Sequence, residues 1–158
     1  MHDLKQIIRS VVLESFTDRP YGIAYTGAIV ENESDVNRLK MVARESIRKL
    51  KKMNISLKRW NRPDDYHMTV CLGELPLHRK MAGDLNSEVT LRVTHFGVNA
   101  LAAAFKVTGY MSKNDTQHIT VMFKNQPSDS NGIKNWMPLD EPFDVTAVIR
   151  EVPATRAS

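Results

Sequence analysis

The sequence contains very little cysteine, since Cys71 is the single one among 158 residues. One thiol can form neither an intramolecular disulfide nor a cysteine-rich metal site, so both kinds of framework are excluded. A reducing compartment is the simplest interpretation, and we expect a cytoplasmic protein. Because Cys71 lies in an apolar strand pattern, we expect a buried structural thiol.

Long apolar runs are also missing. No stretch approaches the roughly 18 residues that a membrane-spanning helix needs, so we expect no membrane partner. The first residues, MHDLKQIIRSVVLESF, are charged throughout, which argues against a secretory signal. The sequence has no glycine-rich phosphate loop and no acidic cluster suited to Mg²⁺ or Zn²⁺. We therefore predict no cofactor and no metal.

Positive charge is unevenly distributed along the chain. The net charge is +4, and residues 48–62 read RKLKKMNISLKRWNR without one acidic side chain. Such a segment suits a phosphate-bearing partner. A solvated helix end followed by a basic loop would give the same pattern, so composition leaves both interpretations open.

The hydrophobic pattern predicts one domain over residues 1–158, with the element order α-β-α-β-β-β-β-(α)-β. The predicted helices cover residues 4–16, 34–52 and a short stretch after Pro127 that includes Trp136. The predicted strands cover residues 21–30, 66–72, 89–96, 101–107, 117–123 and 143–152. This order indicates an α+β fold with a mostly antiparallel sheet and helices on its outer faces.

A repeated motif is the most informative feature of the sequence. The pattern histidine, apolar residue, threonine, valine occurs in two predicted strands, at residues 67–70 and 118–121. Residues i and i+2 of a strand point to the same face, so His67 and Thr69 lie together. The same holds for His118 and Thr120. Each strand therefore presents a polar pair and anchors its opposite face in the core.

Two histidines and two hydroxyls suit the cleavage of a phosphodiester. Histidine titrates near neutral pH, so one ring can accept a proton while another donates one. The hydroxyls of Thr69 and Thr120 can stabilise charge on the phosphate oxygens. Two unrelated, half-exposed strand histidines would give the same local pattern. The remaining histidines have no such partner and are interpreted as surface or packing residues.

Two such motifs about 50 residues apart resemble those of the 2H phosphoesterase superfamily. The resemblance extends from the strand at Tyr21 to the strand at Phe143. It implies a bilobal fold, in which two antiparallel sheets face a central cleft and carry helices on the outside. It also implies catalysis by His67, Thr69, His118 and Thr120, without a metal.

A narrower resemblance follows the second motif. The segment HITVMFKNQPSDSNGIKNW is similar to the cyclic phosphodiesterase domain of fungal-type tRNA ligases, where a Pro-x-x-Ser-Asn stretch corresponds to Pro127, Ser130 and Asn131. This implies hydrolysis of a 2′,3′-cyclic phosphate, at an RNA end or in a cyclic nucleotide, to a 2′-phosphate. We assign His118 as base and His67 as acid, with the reverse order open. The chain has no room for ligase and kinase domains.

Five further residues are candidates for substrate binding, and each has a structural alternative. The aromatic rings of Tyr66 and Trp60 could stack on a base or pack in the core. The ammonium of Lys124 could meet a phosphate or remain solvated. Ser130 and Asn131 could shape a loop at the cleft mouth or cap a helix.

Other functions remain open at the level of sequence. Within the resembled superfamily, related enzymes degrade 2′–5′ oligoadenylates, trim RNA 3′ ends or destroy cyclic oligonucleotide signals in viral counter-defence. Outside catalysis, the basic segment with Trp60 and Tyr66 could bind RNA by charge and stacking. We expect RNA with a cyclic phosphate end, or a cyclic nucleotide, as the partner of a monomer.

Overall fold

Six antiparallel strands form the framework of the computed structural model, which describes residues 22–51 and 60–154. The strands are β1 (Ile23–Val30), β2 (Tyr66–Leu72), β3 (Glu88–Val98), β4 (Ala102–Thr108), β5 (His118–Phe123) and β6 (Trp136–Pro153). The helices are α1 (Glu33–Lys51), α2 (Leu77–Met81) and a 3-10 helix (Pro127–Gly132). The predicted helix at residues 4–16 and much of the basic segment lie outside the described residues.

The strands close into one barrel in the order β1-β2-β5-β4-β3-β6. The long strand β6 makes this closure possible, because it pairs with β3 from Trp136 to Val148 and with β1 from Val148 to Pro153. At Val148 the strand has a partner on each side. A closed barrel leaves no strand edge unpaired.

The predicted bilobal fold with two facing sheets is wrong. The described residues form a single closed antiparallel barrel with few helices, so no cleft separates two sheets. The prediction fails at residues 136–142, which it assigns in part to a short helix and in part to no element. These residues instead begin β6, where Trp136, Met137 and Pro138 pair with β3, and this pairing joins the two halves of the chain in one sheet. Such long-range pairing leaves no local periodicity in a sequence.

Helix α1 packs against β6 through both polar and apolar contacts. Its first turn holds Asp35, whose carboxylate accepts a hydrogen bond from the backbone N–H of Thr146 at 2.8 Å. One turn on, the guanidinium of Arg38 lies 4.6 Å from the centre of the Phe143 ring. Leu39 is fully buried in the core. Among the described residues, no helix is long and apolar enough to cross a membrane.

The two motif strands keep the predicted alternation. Met68 and Val70 of β2 are fully buried, as is Ile119 of β5, and all belong to the main core. Burial of an aliphatic side chain of this size stabilises a fold by about 1.5–3 kcal/mol. His67 and Thr69 point the other way and are partly exposed. The core therefore fixes the direction in which the polar pairs point.

Candidate active site

The pairing of β2 with β5 brings the two motifs together. The strands are antiparallel neighbours and Met68 lies opposite Ile119. This register sets His67 opposite Thr120 and Thr69 opposite His118. Directly opposite residues of an antiparallel pair share a face. All four side chains accordingly line one pocket of about 1090 Å³.

The loop between β4 and β5 adds hydrogen bonds to β2 beside the Met68–Ile119 pair. Its Ser112 hydroxyl donates a hydrogen bond of 2.7 Å to the carbonyl oxygen of Thr69. The next residue, Lys113, donates its backbone N–H to the carbonyl oxygen of Val70 at 2.9 Å. The loop is thereby tied to the strand of the first motif. It places Lys113 and Asn114 on the wall of the same pocket.

The ring of His67 is held from two sides. Its Nδ1 lies 2.6 Å from a carboxylate oxygen of Asp65, and the hydrogen bond lowers the pKa of Asp65. The ring of Tyr25 stacks on the imidazole, with centroids 4.9 Å apart and planes inclined by 29°. Burial, together with the nearby carboxylates, raises the pKa of Tyr25 to about 12. Tyr25 is therefore a neutral phenol at physiological pH.

Gly27 makes room for these two rings. The register of β1 against β2 shifts between Thr26 and Gly27, and Gly27 pairs with Thr69. A Cβ at Gly27 would lie 3.1 Å from Cε2 of Tyr25 and 3.5 Å from Cδ2 of His67. The absence of a side chain at this position therefore lets the phenol reach across the strand to the imidazole.

The surroundings of His118 differ from those of His67. The side chain is buried, and its Nδ1 lies 2.8 Å from the carbonyl oxygen of Thr116. Because a carbonyl oxygen can only accept, Nδ1 carries the hydrogen and a neutral ring offers Nε2 as an acceptor. Burial lowers the pKa of His118, and the nearby His67 lowers it further, although the bond to Thr116 acts in the opposite direction.

Ser130 joins the two polar residues of the second motif. Its hydroxyl oxygen lies 2.9 Å from Nε2 of His118 and 2.7 Å from the hydroxyl oxygen of Thr120. It also lies 2.8 Å from the carbonyl oxygen of Pro127, within the same 3-10 helix. The residue is 1% exposed. A buried hydroxyl with this set of partners fixes the positions of His118 and Thr120 relative to each other.

The structure brings some of the remaining predicted residues to the pocket and leaves others away from it. Ser130 and Asn131 line the pocket. Tyr66 is 8% exposed and lies in the core, because it precedes His67 by one residue and so points to the opposite face. Trp60 packs on the same core, and Lys124 is exposed. The residues that line the pocket include none of these three.

Several pocket residues were missed in the sequence. Asp65 lies two positions before His67, and strand alternation could have indicated that the two share a face. Tyr25 and Lys113 reach the pocket from β1 and from the β4–β5 loop, and no local pattern links them to the motifs. Arg62 lies at the pocket as well, at the end of the basic segment.

The side chains that line the pocket determine the chemistry that they can offer. In residues 22–51 and 60–154, no group of three or more histidine, cysteine, aspartate or glutamate side chains is arranged to hold a metal ion. No protein-family model and no curated protein matches the chain. The pocket offers one imidazole beside a carboxylate, one buried imidazole and several hydroxyls. This set can exchange protons with a bound phosphate ester at two points and donate hydrogen bonds to its oxygens.

Proposed function

We propose that the chain is a phosphodiesterase that hydrolyses 2′,3′-cyclic phosphates, at RNA ends or in cyclic nucleotides, without a metal ion. One observation carries the proposal. The register of β2 against β5 sets both His-x-Thr pairs around a single pocket. Paired strand histidines without a shared task would have no reason to converge in this way. We further propose that the protein acts as a cytoplasmic monomer.

In the proposed reaction, His118 is the general base and His67 the general acid. Burial favours the neutral form of His118. Because the Ser130 hydroxyl lies 2.9 Å from Nε2, the proton of the attacking water reaches that nitrogen through the hydroxyl. The water oxygen attacks phosphorus, and the bond between phosphorus and the 3′ oxygen breaks. His67 gives its proton to that oxygen, so the product carries a 2′-phosphate and a 3′-hydroxyl. Each proton transfer contributes about 10²- to 10⁴-fold to the rate.

The threonine hydroxyls stabilise the negative charge that grows on the non-bridging oxygens. Thr120 is already oriented by Ser130, at 2.7 Å between the two hydroxyl oxygens. A donor that is fixed before the reaction needs no reorganisation when charge develops, and one such donor is worth about 10²- to 10³-fold in kcat. Thr69 lies across the strand pair from His118 and serves the opposite side of the phosphate.

A second candidate substrate class uses the same residues. The pocket of about 1090 Å³ lies above the usual range of small-molecule sites. This size favours a ligand longer than one nucleotide, such as a 2′–5′ oligoadenylate or a cyclic oligonucleotide signal. The two-histidine chemistry would be unchanged, and the phosphodiester linkage that is cleaved would differ.

The test is a turnover assay in EDTA with a short RNA that ends in a 2′,3′-cyclic phosphate and with the four cyclic mononucleotides. His67→Ala and His118→Ala should each lose about 10²- to 10⁴-fold in kcat. His78→Ala removes an exposed imidazole on α2 and should keep wild-type turnover.

The position of the phosphate in the product, and the substrates that are not turned over, distinguish the candidate functions. Release of a 2′-phosphate identifies the 3′ oxygen as the leaving group. An absence of wild-type turnover on every cyclic phosphate would contradict the proposal, and 2′–5′ oligoadenylates and cyclic oligonucleotides would be assayed next. RNA affinity without any turnover would support a binding module instead.

A further inference from the structure

The roles of the two histidines are distinguished by their neighbours, and the inference drawn here rests on the proposed phosphodiesterase function. We propose that Asp65, assisted by Tyr25, is a positioning residue that fixes His67 as the general acid of the site. Asp65 acts through His67 and not on the substrate. The inference stands on three features of the structure.

The first feature is the hydrogen bond itself. A carboxylate can only accept, so the contact of 2.6 Å requires the hydrogen on Nδ1 of His67. Nε2 is then the nitrogen left to face the pocket. Such a carboxylate–imidazole pair fixes both the tautomer and the ring orientation, as in other catalytic histidines. The proton that His67 gives up is therefore the one on Nε2.

The second feature is the asymmetry of charge. The carboxylates that line the pocket within the described residues are Asp64 and Asp65, and Asp65 bonds His67. A carboxylate at this distance stabilises the positive charge of a protonated imidazole. His118 instead bonds a carbonyl oxygen and a hydroxyl, and burial favours its neutral form. The surroundings of His67 thus favour donation of a proton, and those of His118 favour acceptance of one.

The third feature is the stacked phenol. The ring of Tyr25 covers one face of His67 and Asp65 holds one edge, so rotation of the imidazole would break both contacts. Tyr25 stays neutral because its pKa is about 12. It therefore adds no charge that could compete with Asp65 for the proton of His67. Arg62 and Lys113 are the cationic residues at the same pocket within the described part of the chain.

Two substitutions separate charge from orientation. Asp65→Asn keeps an oxygen that can accept from Nδ1 but removes the charge. We expect kcat to fall about 10-fold, because the ring that donates the proton loses its counter-charge. Asp65→Ala removes the acceptor too, and kcat should fall about 100-fold. KM should change little in both. Asp64→Asn removes the same charge one residue away, and its effect should be much smaller.

A readout independent of turnover accompanies the kinetics. Nitrogen NMR of labelled protein reports which imidazole nitrogen carries the hydrogen. At alkaline pH, where the imidazole is neutral, His67 should show the hydrogen on Nδ1 in the wild type and a mixture of both tautomers in Asp65→Ala. Asp65 is 41% exposed at its side chain, so both variants should fold, and thermal unfolding checks this.

The outcomes distinguish this inference from the proposed function. Absence of wild-type turnover would overturn the proposed function. Loss of turnover in His67→Ala with full turnover and unchanged tautomers in both Asp65 variants would overturn the inference alone. A fall in kcat at nearly unchanged KM in both Asp65 variants, together with a tautomer change in Asp65→Ala, would support it.

Discussion

At the scale of single residues, the difference between the two imidazoles predicts a pH dependence. Burial places the pKa of His118 below its ordinary value of 6.5. A general base works in its unprotonated form, so a lowered pKa keeps it active to lower pH. The acid limb of the kcat/KM profile should therefore lie below pH 6.5. A limb at or above pH 6.5 would contradict the assignment of His118 as the base.

The same shift has a consequence for stability. The unfolded chain binds the proton of His118 at higher pH than the folded chain does. The free energy of unfolding should consequently fall as pH drops below about 6.5. A His118→Gln variant should lose this part of the pH dependence, as measured by urea unfolding at several pH values.

The four motif residues could be predicted from the sequence, whereas their neighbours could not. His67 and Thr69 share a face because strand alternation requires it, and the structure sets them at the pocket. Ser130 was suggested by the resemblance of its segment, but its contact with His118 depends on the fold of the 3-10 helix. Tyr25 comes from another strand, and nothing local to it indicates a contact with His67.

At the scale of elements, the pairing of β3 with β6 depends on a glycine. Gly97 pairs with Trp136, and a Cβ there would lie 2.6 Å from both the Ile133 side chain and the indole ring. Gly97→Ala should therefore destabilise the protein by about 1–3 kcal/mol, measured by chemical denaturation. Gly132→Ala is the matched control, since its Cβ would meet Asn99 at an ordinary 3.4 Å.

This substitution also tests the link between barrel and site. Ile133 directly follows the 3-10 helix that contains Ser130. If the added methyl group displaces Ile133, the Ser130 hydroxyl that orients His118 should shift too. We expect Gly97→Ala to lower kcat as well as stability. Unchanged stability in Gly97→Ala would contradict the close approach of β3 and β6.

The elements themselves were predicted with unequal success. The strand over residues 66–72 is confirmed because it alternates clearly and is bounded by turns. The first half of β6 was missed, since Pro138 and Pro142 are typical of loops and turns. Pairing with β3 at residues 136–138, and again from Phe143, outweighs that local preference.

At the scale of the whole molecule, the pocket extends beyond the four motif residues. A second pocket of about 260 Å³ shares Lys113, Asn114 and Asn131 with the main one and is also lined by Asp115 and Thr116. An RNA longer than one nucleotide could occupy both, with a backbone phosphate near Lys113. We expect a higher kcat/KM for a cyclic-phosphate trinucleotide than for a cyclic mononucleotide.

Lys113→Ala should reduce that preference by raising KM for the trinucleotide about 10-fold, with little change for the mononucleotide. The salt dependence of KM should weaken with it, because one phosphate contact is lost. Lys134→Ala removes an exposed lysine from the loop before β6 and serves as the control. Equal kcat/KM for both substrates in the wild type would contradict a contact beyond the first nucleotide.

The barrel could not be predicted from the sequence, because closure depends on which strands meet and not on which strands form. The predicted antiparallel strands are largely present, yet β6 turns two expected sheets into one ring. A pattern of apolar residues specifies the face that a strand buries, but it does not specify which strand pairs with each of its edges.

Both histidines are anchored through Nδ1, one by Asp65 and the other by Thr116. Because Nδ1 is the anchoring nitrogen in both rings, a substitution could keep the anchor, remove the nitrogen that reacts and so give an inactive form that retains its substrate. The amide nitrogen of asparagine occupies roughly the place of Nδ1, so asparagine at either position would keep the anchor while removing the reacting nitrogen. Glutamine reaches roughly the place of Nε2 and would do the reverse. Asparagine is thus the better choice for capturing an uncleaved ligand in a pocket that keeps its shape.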